Sequence, residues 1–224
     1  DNISPVNLPL DIAYEDDDII VINKPFDMPA HPSAGNHDNT LANALMYYYG
    51  SQNKPFVYRC INRLDRDTTG LTIVAKHALA GGILGNAVAK RAIHRTYYAV
   101  CSGCTPAYMR ISAPIARKDA STIERCVDFK RGENAVTDFI RIKYNPDNNL
   151  SLVKLRLLTG RTHQIRVHMK YIGFPLIGDF LYNPDYTYIS RQALHSGRLV
   201  FTHPVTGQKM NLISDIPSDM KSLF

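Results

Sequence analysis

The chain has 224 residues, 45% of them hydrophobic, and a formal net charge of +6, enough to bury one sizeable core or two small ones. No stretch approaches the roughly 18 consecutive apolar residues of a membrane span, and no charged-then-apolar leader opens the chain. Four scattered cysteines, Cys60, Cys101, Cys104 and Cys126, are too few for a secreted disulfide framework, so the expectation is a soluble, cytoplasmic, monomeric domain of enzyme size.

In chain order, residues 1–9 are polar and Pro-bearing and follow no initiator Met; they read as the remnant of a linker, with the folded domain expected over 10–224. "DIIVINKP" predicts a buried strand closed by Pro25, and "TLANALMYYYG" a helix with Thr40 as N-cap and Gly50 just past its end. "CIN" and "GLTIVAK" predict apolar strands, and "HALAGGILGNAVAK" a weak helix, since Gly81, Gly82 and Gly85 lower its propensity. "HRTYYAVCSG", "STIERCVDF", "AVTDFIRIKY" and "LSLVKLRLL" alternate or run apolar as strands do. A helix is expected where Arg161, His163 and Arg166 cluster, and "RLVFTHPVTGQKMNL" reads as a hairpin turning at Val205 to Gln208. Strands dominate the middle, with helices at intervals. The pattern argues an α+β fold on a large, mostly antiparallel sheet.

Charge is unevenly spread. Residues 1–55 carry 2 Lys and Arg against 8 Asp and Glu, residues 56–145 carry 15 against 7, and residues 146–224 carry 9 against 5. Fifteen of the 26 basic residues are Arg, whose planar fork matches phosphate, which is compatible with a polyanionic partner and equally with a merely basic protein.

The stretch "INRLDRDTTGLTIVAKH" places Arg63, Asp65, Arg66 and Asp67 at the mouth of a strand. Such a cluster is most often a self-neutralised surface turn. Here it sits where a rigid scaffold presents functional loops. Further on, Arg161, His163 and Arg166 sit at a helix start, where unsatisfied N–H groups favour anions. A carboxylate from the first segment and an arginine from the second could meet.

These segments carry a resemblance. "NRLDRDTTGLTIVAK" resembles the catalytic motif of the RluA family of RNA pseudouridine synthases, usually written H-R-L-D-x-x-T-S-G-L. "VINKPFDMPAHPS" is similar to the family's opening motif, "HRTYYAVCSG" to its tyrosine motif, "TGRTHQIRVH" with "GFPLIGDFLY" to its arginine motif, and "RQALHSGRLVFTHPVTG" to its closing segment. The five blocks keep the family's order over residues 10 to about 207. Asn62 stands where the family commonly has His, and Thr69 where it has Ser.

The resemblance implies a single catalytic domain with flanking helices and a central RNA-binding cleft; the linker-like start without Met adds the expectation of an upstream RNA-binding domain, of the S4 type found in many relatives. It implies a reaction without cofactor or metal, in which uracil is detached from ribose at N1, turned and rejoined through C5. Asp65 matches the family aspartate, acting at C1′ as a nucleophile or stabilising charge there while a C2′ proton leaves. Arg166 matches the arginine paired with that aspartate, and Tyr97 the tyrosine that stacks on the base and is placed for proton transfer, with Tyr98 left to the core. Arg63 and Arg66 are expected to grip RNA around a flipped uridine, with Arg161 and His163 as further RNA contacts. The partner is ribosomal RNA or tRNA, with no obligate protein partner and no membrane.

Other sites read weakly. Cys101 and Cys104 form a lone CxxC short of a zinc set, and His163 and His168 are off the i,i+4 spacing of a helical ligand pair. "YEDDD" reads as a solvated turn. Two further function classes stay open: an RNA-binding module without catalysis, and a nucleoside or sugar hydrolase, which would need a second carboxylate, with Asp67 as the nearby candidate.

Overall fold

The structure is a computed structural model that describes residues 3–33, 35–120 and 122–224. The first two residues of the expected linker, and Ser121 at the head of the strand read over 121–129, lie outside the described residues. The chain divides into two compact units, residues 1–93 with 198–214, and residues 94–197 with 215–224. No helix among the described residues is long and apolar enough to cross a membrane.

The first unit holds β1 (Ile12–Glu15), β2 (Ile19–Lys24), α1 (Leu41–Gly50), β3 (Thr69–Ala75), α2 (Ala78–Ala89), the later part of a strand running from Leu194 to Thr202, and a strand from Lys209 to Ile213. β2 is antiparallel to both β1 and β3. Its residues Ile19 to Ile22 are fully buried because both faces are covered: Ile19 and Val21 pack with Leu71 and Ile73 in one cluster, Ile20 and Ile22 with Leu41 and Leu45 of α1 in the other. A continuous apolar run, rather than an alternating one, is what two covered faces require. Thr40 caps α1 by accepting from the Asn43 N–H, and the Asn43 side chain accepts from the Thr40 N–H in return. Gly50 is the last helical residue and Ser51 the C-cap, one residue later than the sequence pattern placed the end. Residues 3–10 lie along α1: the Val6 N–H donates to Asn43 O, the Asn43 amide donates to Ser4 O, and Ile3, Leu8 and Leu10 join the α1 cluster.

The second unit holds β4 (His94–Ser102), β5 (Tyr108–Ser112), the hairpin pair β6 (Ile115–Arg117) and β7 (Arg125–Val127), β8 (Val136–Asn145), β9 (Leu150–Leu157), α3 (Gln164–Tyr171), the opening residues of β10 (Leu194–Thr202), and α4 (Ser218–Lys221); the strand from Lys209 to Ile213 is β11. Its strands follow the order β4-β9-β8-β5, each pair antiparallel. The expected strand over 121–129 is confined to Arg125–Val127. Beyond it Asp128 turns the chain, its carboxylate accepting from the Lys130 and Arg131 N–H groups. β10 and β11 form the expected hairpin, with Gly207 at φ 73 in its turn. The whole is an α+β fold on a large, mostly antiparallel mixed sheet.

Candidate active site

In the first unit, residues 59–61 run antiparallel beside β3 rather than forming a strand of their own: Ile61 N–H donates to Ile73 O and Ala75 N–H to Arg59 O. Asn62 continues this pairing with its side chain. Its Oδ1 accepts from the Ile73 N–H at 2.8 Å, its Nδ2 donates to Leu71 O at 3.2 Å, and its own carbonyl accepts from Thr72 Oγ1 at 2.7 Å. Asn62 and Leu64 are both buried and pin the start of the loop. The loop then turns: Thr68 N–H donates to Asp65 O at 3.1 Å. Thr69 is buried. Gly70, at φ 108, takes a backbone conformation that side chains disfavour as the chain enters β3.

Beneath the turn, the buried ammonium of Lys24 donates to Pro25 O at 2.7 Å and to Arg66 O at 2.9 Å. The Met28 N–H reaches the same Arg66 carbonyl at 3.3 Å. Asp65 therefore sits on a loop fixed at both ends, with its side chain partly open. Arg63 is exposed beside it. Burial holds the nearby His31 imidazole below its ordinary range, and the positive charge of Arg63 lowers it further. The Arg66 guanidinium turns onto Asp67, with Nε at 3.1 Å from Oδ1 and Nη2 at 3.0 Å from Oδ2, and lies 3.8 Å from Asp27. Asp67, mostly buried, is thereby tied up as an ion-pair acceptor, a poor state for the second acid of a hydrolase.

In the second unit, Tyr97 lies on β4 opposite Leu155, on the sheet face that also buries Phe139 and Val153. Tyr98 points to the other face and packs half-buried at the border of the Val100 and Met220 cluster, rather than inside the core as expected. α3 brings in Arg166, which is 1% exposed and meets a fully buried Asp179 through two parallel bonds, Nε to Oδ2 at 2.7 Å and Nη2 to Oδ1 at 2.8 Å. Asp179 Oδ1 also accepts from the Leu181 and Tyr182 N–H groups. The Phe180 and Tyr182 rings stand 5.3 and 5.0 Å from the guanidinium carbon. Gly178 precedes Asp179 because a β-carbon there would lie 2.1 Å from Arg191 O. Asp179 in "GFPLIGD" and Lys24 in "DIIVINKP" have no role in the sequence pattern alone; a buried charge needs a partner, and a lone Asp or Lys inside an apolar motif is the signal that points to them.

The remaining expected contacts are placed as follows. Arg161 pairs with Glu133 and donates to Asn134 O. His163, left-handed at φ 57, caps α3 without a side-chain cap bond, its Nδ1 2.9 Å from the Tyr182 hydroxyl, which also accepts from the Arg125 N–H. His168 is fully buried between Thr137 Oγ1 at 2.9 Å and Ala113 O at 2.8 Å, and burial keeps its imidazole below the usual range.

Asp16, Asp18 and His203 form the one set of at least three metal-type ligands found among the described residues. Asp16 accepts from the Tyr14 hydroxyl, from the Asp18 and Ile19 N–H groups and from His203 Nε2. His203 Nδ1 accepts in turn from the Val205 and Thr206 N–H groups. Burial alone would raise the Asp16 carboxyl, but these hydrogen bonds outweigh it and hold it low. The three residues are tied together in a hydrogen-bonded turn.

Comparison with known proteins places these features. The RNA pseudouridylate synthase family matches residues 18–171. The chain is 43% identical to the Bacillus subtilis uncharacterized RNA pseudouridine synthase YjbO, covering 97% of this chain and 76% of that protein. It is 38% identical to ribosomal large subunit pseudouridine synthase D of Zymomonas mobilis, over 98% of this chain and 73% of that one. Among solved structures, human RNA pseudouridylate synthase domain containing 1 superposes with a TM-score of 0.77 at 26% identity, covering 92% of this chain and 83% of that one. The match spans both the Asp65 loop and α3, and the chain belongs to the RNA pseudouridine synthase family, isomerases that act on RNA.

Proposed function

We propose that the chain converts specific uridines of large-subunit ribosomal RNA to pseudouridine, with Asp65 as the reacting carboxylate. The assigned substrate follows relatives named as large-subunit enzymes, 38 to 42% identical over 96 to 98% of this chain. The observation that carries the role of Asp65 is local. Asp65 lies on a turn that the Thr68 N–H, the Lys24 ammonium and the Asn62 amide fix ahead of β3, within the residues that the family match spans.

Both routes to the product need the carboxylate ionised, whether it bonds to C1′ or balances positive charge on the ribose while a C2′ proton leaves. Arg166 is assigned as the cation that favours that ionised form, and Tyr97 as the residue that meets the base and its proton. A bidentate bond to Asp179 suits Arg166 to this task, because a guanidinium fixed by one carboxylate loses little further freedom in serving a second. Arg63 is assigned to phosphate around the extruded nucleotide. No cofactor enters the scheme. Chemical mapping of pseudouridine in ribosomal RNA, from cells with and without the protein, tests the reading; a modified large-subunit position should disappear. Loss confined to tRNA would reassign the substrate, and no loss at all would remove the proposed activity.

A further inference from the structure

The sheet of the second unit has two faces with different fates. One is buried under α3. On the other, the strand register aligns Tyr98 of β4, Lys154 of β9, Ile140 of β8 and Tyr108 of β5 in one row across four strands, spanning about 14 Å at the usual inter-strand spacing. The next row is Thr96, Arg156, Asp138 and Arg110. The C-terminal segment covers only the end of this face near Val100 and Leu152, through Ile216, Met220, Leu223 and Phe224. Beyond it Tyr108 is 58% exposed and Ile140 54%, paired with each other on β5 and β8. Two large apolar side chains left together in water on adjoining strands mark an interaction surface.

Charge identifies the occupant. The first unit carries ten Lys and Arg against ten Asp and Glu, the second sixteen against ten, so the entire +6 lies in the unit that bears this face. Lys154 and Arg156 are exposed and make no ion pair among the described residues, although Arg156 helps Arg110 to hold the Asp138 carboxyl low. In the covered half Lys143 donates to Phe224 O, whereas the half left open interleaves exposed Lys154 and Arg156 with apolar groups. A protein partner or a second copy would call for apolar complementarity without unpaired cations. A duplex would offer phosphates but no base to cover Tyr108 and Ile140. Single-stranded RNA offers both, with bases for the ring and aliphatic groups and phosphates for Lys154 and Arg156.

We infer that this outer face of β5, β8 and β9 binds a single-stranded segment of the substrate RNA away from the reacting uridine. The inference rests on the RNA-modifying function proposed above. The test uses the full chain with a labelled 20-residue oligouridylate, a 5-residue oligouridylate and a 20-base-pair RNA duplex, comparing the parent with Tyr108→Ala, Tyr108→Phe and the Lys154→Ala/Arg156→Ala pair. Affinity for the 20-mer should fall about fivefold or more for Tyr108→Ala and stay near the parent for Tyr108→Phe. For the double variant the slope of log affinity against log salt should shrink by about 1.4, two phosphates at about 0.7 each. The 5-mer should be little affected. Unchanged 20-mer binding by all variants overturns the inference. So does a loss seen only with the duplex, or a parent dimer in sedimentation that the variants convert to monomer. Pseudouridine formation on a short stem-loop is measured alongside: if the parent makes none yet the 20-mer results hold, the enzymatic reading fails while this surface stands.

Discussion

Replacing Asn62 with Ala isolates how the Asp65 loop is held. The side chain supplies an acceptor to the Ile73 N–H at 2.8 Å and a donor to Leu71 O at 3.2 Å, at a buried position. Truncation leaves a buried N–H without that acceptor and weakens the bonding of a carbonyl. A buried polar group left unsatisfied costs about 1–3 kcal/mol, the donor being the dearer of the two, so a total of about 2–4 kcal/mol is expected. Denaturant unfolding gives the difference directly. Because Asn62 lies three residues from Asp65, turnover on saturating RNA should fall by more than the unfolded fraction explains, while RNA affinity stays within about twofold. Asn62→His, which restores a donor and an acceptor, should recover part of both. A stability change below about 0.5 kcal/mol would refute the argument, as would turnover that follows only the folded fraction.

Other outcomes follow from the same geometry. Asp179→Asn removes the charge facing Arg166 while keeping its shape; breaking a buried ion pair from one side costs about 3–5 kcal/mol, read from denaturant midpoints, and an unaltered midpoint would contradict the role assigned to the pair. Burial depresses the His168 imidazole, so the unfolded chain takes up its proton first as pH falls below the ordinary value of 6.5. Stability should therefore be level above that pH and decline below it, by at most about 1.4 kcal/mol per pH unit. His168→Gln should flatten the decline in melting temperature between pH 7.5 and 5.5; an equal slope would remove His168 as its source. Arg63→Ala should leave stability within about 0.5 kcal/mol, as expected of an exposed loop position, and weaken RNA binding with a shallower salt slope.

Much of this architecture is legible in local sequence. Thr40 announces a helix start, the unbroken run Ile19–Ile22 a strand covered on both faces, and the order of the motifs a family. What escapes is long-range pairing. Asn62 looks like a departure from a motif until the Ile73 N–H and Leu71 carbonyl are seen to need its amide. Lys24 reads as the polar end of a strand, yet its ammonium anchors a carbonyl 42 residues away. Asp179 gains meaning only when Arg166 arrives from α3. Short elements such as β1, β5 and α4 have too few residues to show a period. The outer face of β8 and β9 shows in the sequence only as strand alternation, because alternation does not say which of two faces the chain leaves uncovered.

The central claim is that Asp65 is the reacting group. Asp65→Asn keeps the size of the side chain and removes its charge, while the anchors at Asn62, Lys24 and Thr68 remain in place. Pseudouridine formation and binding are measured on one uridine-containing RNA with parent and variant. Turnover should disappear while affinity stays within a few-fold, since any step that needs a carboxylate loses its driving group and the cations that hold RNA persist. Isomerisation by the Asn variant at a rate near that of the parent would contradict the account, and joint loss of binding and turnover would make the loop an RNA-docking element instead.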